Sequence, residues 1–155
     1  MDSNNTNLKQ ELRKVKLTGF DVIKEVFEKN TEIDADKFDL VNNLKVSIKF
    51  GWDDQKNSLA LRLEISITRK VDKADNENSI QSSLDLVVIN LFEYGDIYKF
   101  IKDIERKESD DKGELYEITN YLLDLSYPKI KSHIQNIFKS SNMNIKLPES
   151  LKVGD

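Results

Sequence analysis

Twice between Leu44 and Thr68 the chain alternates apolar and polar residues with a period of two, and this pattern constrains the fold more than any other. In LKVSIKF, Leu44, Val46, Ile48 and Phe50 share one side while Lys45, Ser47 and Lys49 share the other. In LALRLEISIT, Leu59, Leu61, Leu63, Ile65 and Ile67 oppose Ala60, Arg62, Glu64, Ser66 and Thr68. Extended backbone places residues two apart on the same side; helical backbone does not. Both stretches are therefore strands with one buried and one solvated face. The short polar turn around DDQKN makes them an antiparallel pair, since a parallel connection needs a dozen or more residues.

A second polar loop, DKADNENS, leads into SLDLVVINLFEYG. Here Leu84, Leu86 and Val88 alternate with Asp85, Val87 and Ile89, and both faces are apolar from Leu86 to Leu91. A strand apolar on both faces needs two covers. One can be the chain's own helices, and the other a neighbouring subunit. The preceding segment LTGFDVIKEVFEKN is ambiguous: Phe20, Ile23 and Phe27 suit a helix, whereas Phe20, Val22, Ile23, Val26 and Phe27 suit a bulged strand. Residues 1–16 are polar, with Leu8, Leu12 and Val15 spaced for a short helix.

After Gly95, DIYKFIKDIERK still carries apolar residues, and KESDDKGE then breaks the pattern. LYEITNYLLDL follows at helical spacing, with Leu115, Ile118, Leu122 and Leu125 on one face. Ser126 can cap a new helix whose first turn tolerates Pro128, with Ile130, Ile134, Ile137 and Phe138 on its apolar side. Two helices after a run of strands predict an α+β domain, with the helices packed on one side of an antiparallel sheet.

The chain of 155 residues has the length of one domain, and 38% hydrophobic with 34% charged residues gives a folded protein with a heavily solvated surface. Its net charge of -4, with Lys and Arg interleaved among Asp and Glu, offers no basic footprint for phosphates and argues against nucleic acid as a partner. Without cysteine there is no disulfide framework, thiolate nucleophile or cysteine zinc site. The start MDSNNTNLKQELRKVK is not a signal peptide and no later stretch is a membrane span, so a cytoplasmic location without membrane insertion is expected.

Nothing in the sequence calls for catalysis, a metal or a cofactor. His133 is the sole histidine, with no nucleophile or orienting partner that spacing can assign to it. Asp53-Asp54 and Asp110-Asp111 lack the ligand spacing of a calcium loop and fall where turns are expected. The five glycines form no phosphate-cradling cluster. Trp52 continues the face of Phe50 at a strand end, the position of either a binding anchor or a core rim packed under a helix.

The order of elements and several local words resemble the SecB chaperone family, including the SecB-like chaperones of toxin–antitoxin systems. The words are Glu93-Tyr94-Gly95-Asp96-Ile97 at the end of the last strand, Tyr127-Pro128 at the entrance of the last helix, Ile130, Ile134 and Ile137 within it, and Ile145-Lys146-Leu147-Pro148 in the tail. Asn142-Met143-Asn144 stand where the family has a Phe-Pro-Pro turn. The resemblance runs from Leu17 to Leu151, so residues 17–151 are expected to form a single SecB-like domain: a four-stranded antiparallel sheet and two C-terminal helices. It makes LTGFDVIKEVFEKN the first strand, with a bulge near Ile23.

By function, the resemblance implies an ATP-independent holdase that binds unfolded or nascent polypeptide in apolar grooves, with a preprotein or an antitoxin as client. It implies a homo-oligomer, a tetramer or dimer, without enzymatic activity or cofactor. The client-binding candidates are Phe50, Trp52, Tyr94, Ile97, Tyr127, Ile130, Ile134 and Ile137. The alternatives are a non-catalytic oligomeric scaffold and a small-molecule-binding domain.

Overall fold

The structure, a computed structural model, describes residues 2–33, 39–53, 58–72, 80–93, 99, 102 and 112–154. Helix α1 (Asp2–Lys14) precedes strands β1 (Lys16–Lys29), β2 (Leu40–Asp53), β3 (Ser58–Val71) and β4 (Ile80–Glu93), and helix α2 (Lys112–Ser140) follows them. The strands form one antiparallel sheet in the order β1-β4-β3-β2. Each has 14 residues, a length of about 45 Å at the usual rise. This is the expected α+β arrangement.

The first period-two stretch lies in β2, an edge strand, and the second in β3, which with β4 occupies the centre of the sheet. Leu59, Leu61, Leu63, Ile65 and Ile67 of β3 are buried, as are Leu84, Leu86, Val88 and Phe92 of β4. The ambiguous segment is a strand, β1, so its helical reading falls. Asn30 N–H donates to the Gln81 carbonyl at 2.8 Å, while Thr18 Oγ1 donates to the Leu91 carbonyl at 3.2 Å. Low numbers of β1 thus face high numbers of β4, the antiparallel sense. Gly19 lies so close to Leu91 that a Cβ there would stand 3.1 Å from its Cδ1.

The chain forms two compact units, through which the strands continue. One comprises residues 1–19, 52–60 and 90–155. Its buried apolar residues include Leu8, Leu12 and Val15 from α1 and its C-terminal flank, together with Leu59 and Phe92. Those of α2 include Ile118, Leu122, Leu123, Tyr127, Ile130, Ile134 and Phe138. The other comprises residues 20–51 and 61–89, with its buried side chains on the central strands.

The two helical segments read from the sequence are one helix: α2 runs through Ser126 and Pro128 without a break. Ser126 is not a cap. It is fully buried, and its Oγ donates to the Leu122 carbonyl one turn back at 3.0 Å. Proline inside a helix costs about 3 kcal/mol by removing one hydrogen bond and crowding a carbonyl. The continuous buried row Ile118, Leu122, Ile130, Ile134 and Phe138 spans the proline and favours helix on both sides of it. Pro128 itself is exposed, so solvent can reach the carbonyl its ring leaves unserved.

Beyond Ser140 the chain reverses through a Schellman motif. Met143 N–H donates to the Phe138 carbonyl at 2.9 Å and Asn142 N–H to that of Lys139 at 3.0 Å. Asn142 takes the left-handed conformation (φ 59°) that asparagine tolerates better than most residues. Buried Met143 and Phe138 hold the positions that commonly touch in this motif. Asn142 thus makes the turn where a Phe-Pro-Pro sequence was the point of comparison.

Candidate functional site

The eight residues singled out from the sequence separate by exposure. Phe50 is half-buried on β2, an edge strand of the sheet. Trp52 also lies in β2, and its side chain is outside the described part of the molecule, as are Tyr94 and Ile97 altogether. Tyr127, Ile130 and Ile134 are buried, with Ile130 and Ile134 almost inaccessible, while Ile137 is half-buried. The helix residues are therefore part of the apolar interior of their unit, and client contact at Ile130 or Ile134 requires α2 to move. Asp54, Asp110 and Asp111 fall outside the described residues, among which no group of acidic or histidine side chains could hold a metal ion.

Tyr127 has a partner that sequence reasoning missed. Its phenol donates a hydrogen bond of 2.6 Å to the Pro148 carbonyl. Burial pushes the phenol pKa above its usual value, and the nearby Glu149 carboxylate pushes it in the same direction. Both effects disfavour the tyrosinate, so Tyr127 remains a neutral donor to the tail.

Tyr127 is one of several α2 side chains that hold the extended segment from Met143 to Gly154. Met143, Ile145 and Leu147 are buried in alternation with exposed Asn144, Lys146 and Pro148. Farther on, Asn120 reads both backbone groups of Val153: its Oδ1 accepts from the Val153 N–H at 2.7 Å and its Nδ2 donates to the Val153 carbonyl at 3.2 Å. Lys152 Nζ lies 2.9 Å from each carboxylate oxygen of Asp124. Gly154 has φ 88°, and a Cβ there would stand 2.5 Å from the Tyr116 ring. Tyr116, Asn120, Asp124 and Tyr127 recur every three or four residues, so they form one stripe of the helix. Helical spacing marks such a stripe, but nothing local says that a tail 21 to 33 residues beyond its hydrogen-bonding members will lie along it.

Among the described residues, two concavities lie on the surface. One, of about 640 Å³, lies between α1 and α2 beside the outer tail and is lined by Arg13, Tyr116, Glu117, Tyr121, Val153 and Gly154 among others. The second, of about 530 Å³, is lined by Lys24, Lys45, Arg62, Glu64 and Asp85 together with Val46, Ile65 and Leu86 among others. Charged side chains stand in the lining of both beside apolar ones, among them Leu12, Tyr121 and Val153 in the first and Val46, Ile65 and Leu86 in the second. Further exposed apolar surface lies elsewhere, at Ile23 and Val26 of β1, Val41 of β2 and Leu91 of β4.

The strand order and the flanking helices have a counterpart among solved structures. A SecB-like chaperone of Mycobacterium tuberculosis, in complex with a ChAD peptide from the HigA1 antitoxin, is similar with a TM-score of 0.63. The likeness covers 92% of this chain and 97% of that one, at 12% sequence identity. The chain has the SecB-like fold.

No protein-family model and no curated protein matches the sequence. A SecB-like fold at such low identity agrees with how the sequence encodes it: alternation and element order survive replacement of nearly every side chain. No helix among the described residues is long and apolar enough to cross a membrane.

Proposed function

We propose that the protein is an ATP-independent holdase that binds unfolded or nascent polypeptide and keeps it from aggregating. The observation that carries this reading is the SecB-like fold, shared over nearly the whole chain with a chaperone solved in complex with an antitoxin peptide. The same likeness makes an antitoxin the favoured client, ahead of an exported preprotein. A holdase gains roughly 25 cal/mol for each Å² of apolar surface that it and its client remove from water, without requiring one client sequence. Ile23, Val26, Val41 and Leu91 offer such surface on the single chain.

The reading includes a homo-oligomer, cytoplasmic and without enzymatic activity. On β4, Val87 is buried, Ile89 half-buried and Leu91 39% exposed, so the second apolar side of that strand is only partly covered within one chain. A neighbouring subunit would complete it. Several weak client contacts repeated around an assembly become tight through effective concentration. Phe50, Trp52, Tyr94 and Ile97 are the client contacts on this reading, with Tyr127, Ile130, Ile134 and Ile137 engaged only when α2 is displaced.

The test is dilution of a chemically unfolded test protein into the purified assembly without nucleotide, with light scattering and assembly mass recorded together. Suppressed scattering by a defined oligomer is expected. A folded assembly that leaves scattering unchanged, both for a generic client and for the antitoxin of any adjacent gene, overturns the reading in favour of a scaffold or a small-molecule binder.

A further inference from the structure

The contacts that hold the C-terminal tail recognise backbone more than sequence. Asn120 accepts from the N–H and donates to the C=O of one residue, Val153, as a neighbouring strand would. Tyr127 donates to another backbone carbonyl, that of Pro148. Any extended chain presents these groups, whatever its side chains. From Pro148 onward the tail is half-buried or exposed, with only Leu151 and Val153 partly covered, whereas Met143, Ile145 and Leu147 before it are buried. The outer segment, residues 148–154, can therefore lift away while the inner segment stays seated. The cavity between α1 and α2 is lined by Tyr116, Asn120 and Asp124 of the stripe together with Val153 and Gly154, so open space borders the seat of the outer segment.

We propose that the Tyr116, Asn120, Asp124 and Tyr127 stripe of α2 is a binding surface for extended polypeptide, occupied in cis by residues 148–154 and taken over by an extended segment of an unfolded client when the tail lifts. The proposal rests on the holdase reading for the identity of its second occupant. A tethered tail acts at an effective concentration on the order of millimolar, so it excludes weak ligands yet yields to a long client held at several points. The tail sets a threshold: short or folded chains do not displace it, and unfolded ones do. Lys152 on Asp124 adds a charge contact to the backbone contacts, so clients with a basic residue at the corresponding point compete best.

The test loosens the tail without altering the surface under it. In the full-length double variant Lys152→Glu and Gly154→Val, the first change places like charges together and the second drives a side chain into the Tyr116 ring at a left-handed backbone position. The probe is a labelled synthetic peptide of residues 147–155, followed by fluorescence anisotropy. The double variant should bind it at least about tenfold more tightly than the wild type, since the cis competitor is weakened. Adding Asn120→Ala should abolish most of that gain, and an unfolded client should displace the peptide.

An independent measurement uses the unmodified protein: hydrogen exchange at the Val153 amide should accelerate when client is bound. If the double variant gains no affinity for the peptide, the surface is not a peptide site and the proposal fails. If the peptide binds but a client the protein holds neither displaces it nor accelerates Val153 exchange, the stripe is only a lock for the tail; the holdase reading then survives. A protein that binds the peptide but holds no client overturns the holdase reading and this proposal with it.

Discussion

Strand β3 and the C-terminal tail are both extended segments with alternately buried residues, yet they are held by different means. In β3, Leu59 to Ile67 bury every second side chain and the backbone lies between two hydrogen-bonded neighbours, β4 and β2. In the tail, Met143, Ile145 and Leu147 repeat that burial. Its last residues then rely on side chains of one helix, with Asn120 and Tyr127 serving backbone groups that a sheet would pair. A ladder distributes its stability over many equivalent bonds, so it tolerates the loss of any one. The tail depends on a few particular side chains, which makes it the part that can open without unfolding the rest.

The largest expected effect tests the ladder side of this contrast. Leu63 is fully buried at the centre of β3, and Leu63→Ala should lower unfolding stability by about 3 kcal/mol through lost burial and the cavity left behind. Urea unfolding checks it. A loss below about 1 kcal/mol would mean that the strand centre repacks freely and that β3 is no more rigid than the tail.

Asn120→Ala removes both bonds to Val153 and leaves the rest of α2 unchanged. The two backbone groups it frees can turn to water, so the global cost should be about 1 kcal/mol, far below that of Leu63→Ala. Exchange protection at the Val153 amide should vanish while that of β3 amides persists. If β3 protection fell in parallel, the tail would be an integral part of the cooperative unit and the contrast would break.

This contrast also explains what the sequence reveals. Alternation in β3 is a repeated local signal, so five residues announce one face without knowledge of their neighbours. In β1 the same residue types fit two periods, and pairing with β4 decides between them. Pro128 after Ser126 misleads because a local rule makes the pair a helix start, whereas the buried row from Ile118 to Phe138 carries the helix through it. Asn120 and Asp124 look like solvated helix positions; their partners Val153 and Lys152 lie far along the chain. The fold was legible because it is repetitive, and the tail's seat was not because each contact occurs once.

Tyr127→Phe should cost about 1 kcal/mol at neutral pH through loss of the bond to Pro148. It also carries a pH signature. The folded state raises the phenol pKa, so the neutral form is favoured on folding. The stabilisation this linkage contributes is therefore fully present below the ordinary tyrosine value, about pH 10, and is lost as pH rises through the higher folded value. Stability curves of the wild type should fall more steeply above about pH 10 than those of the variant. Parallel curves would show that the phenol gains nothing from its place under the tail.

Lys152→Ala should have the smallest effect. Lys152 and Asp124 are 40% and 52% exposed, and a pair so open to water contributes on the order of 0.5 kcal/mol or less. That small contribution should disappear at high ionic strength, where the wild type and variant become indistinguishable in melting temperature and in Val153 exchange. Raising salt therefore separates the two components of the tail's attachment: the charge contact weakens, while the Asn120 and Tyr127 bonds to backbone persist. If high salt instead released Val153 completely, the ion pair would be the main fastening, and recognition along α2 would depend on a basic residue in the bound chain more than on its backbone.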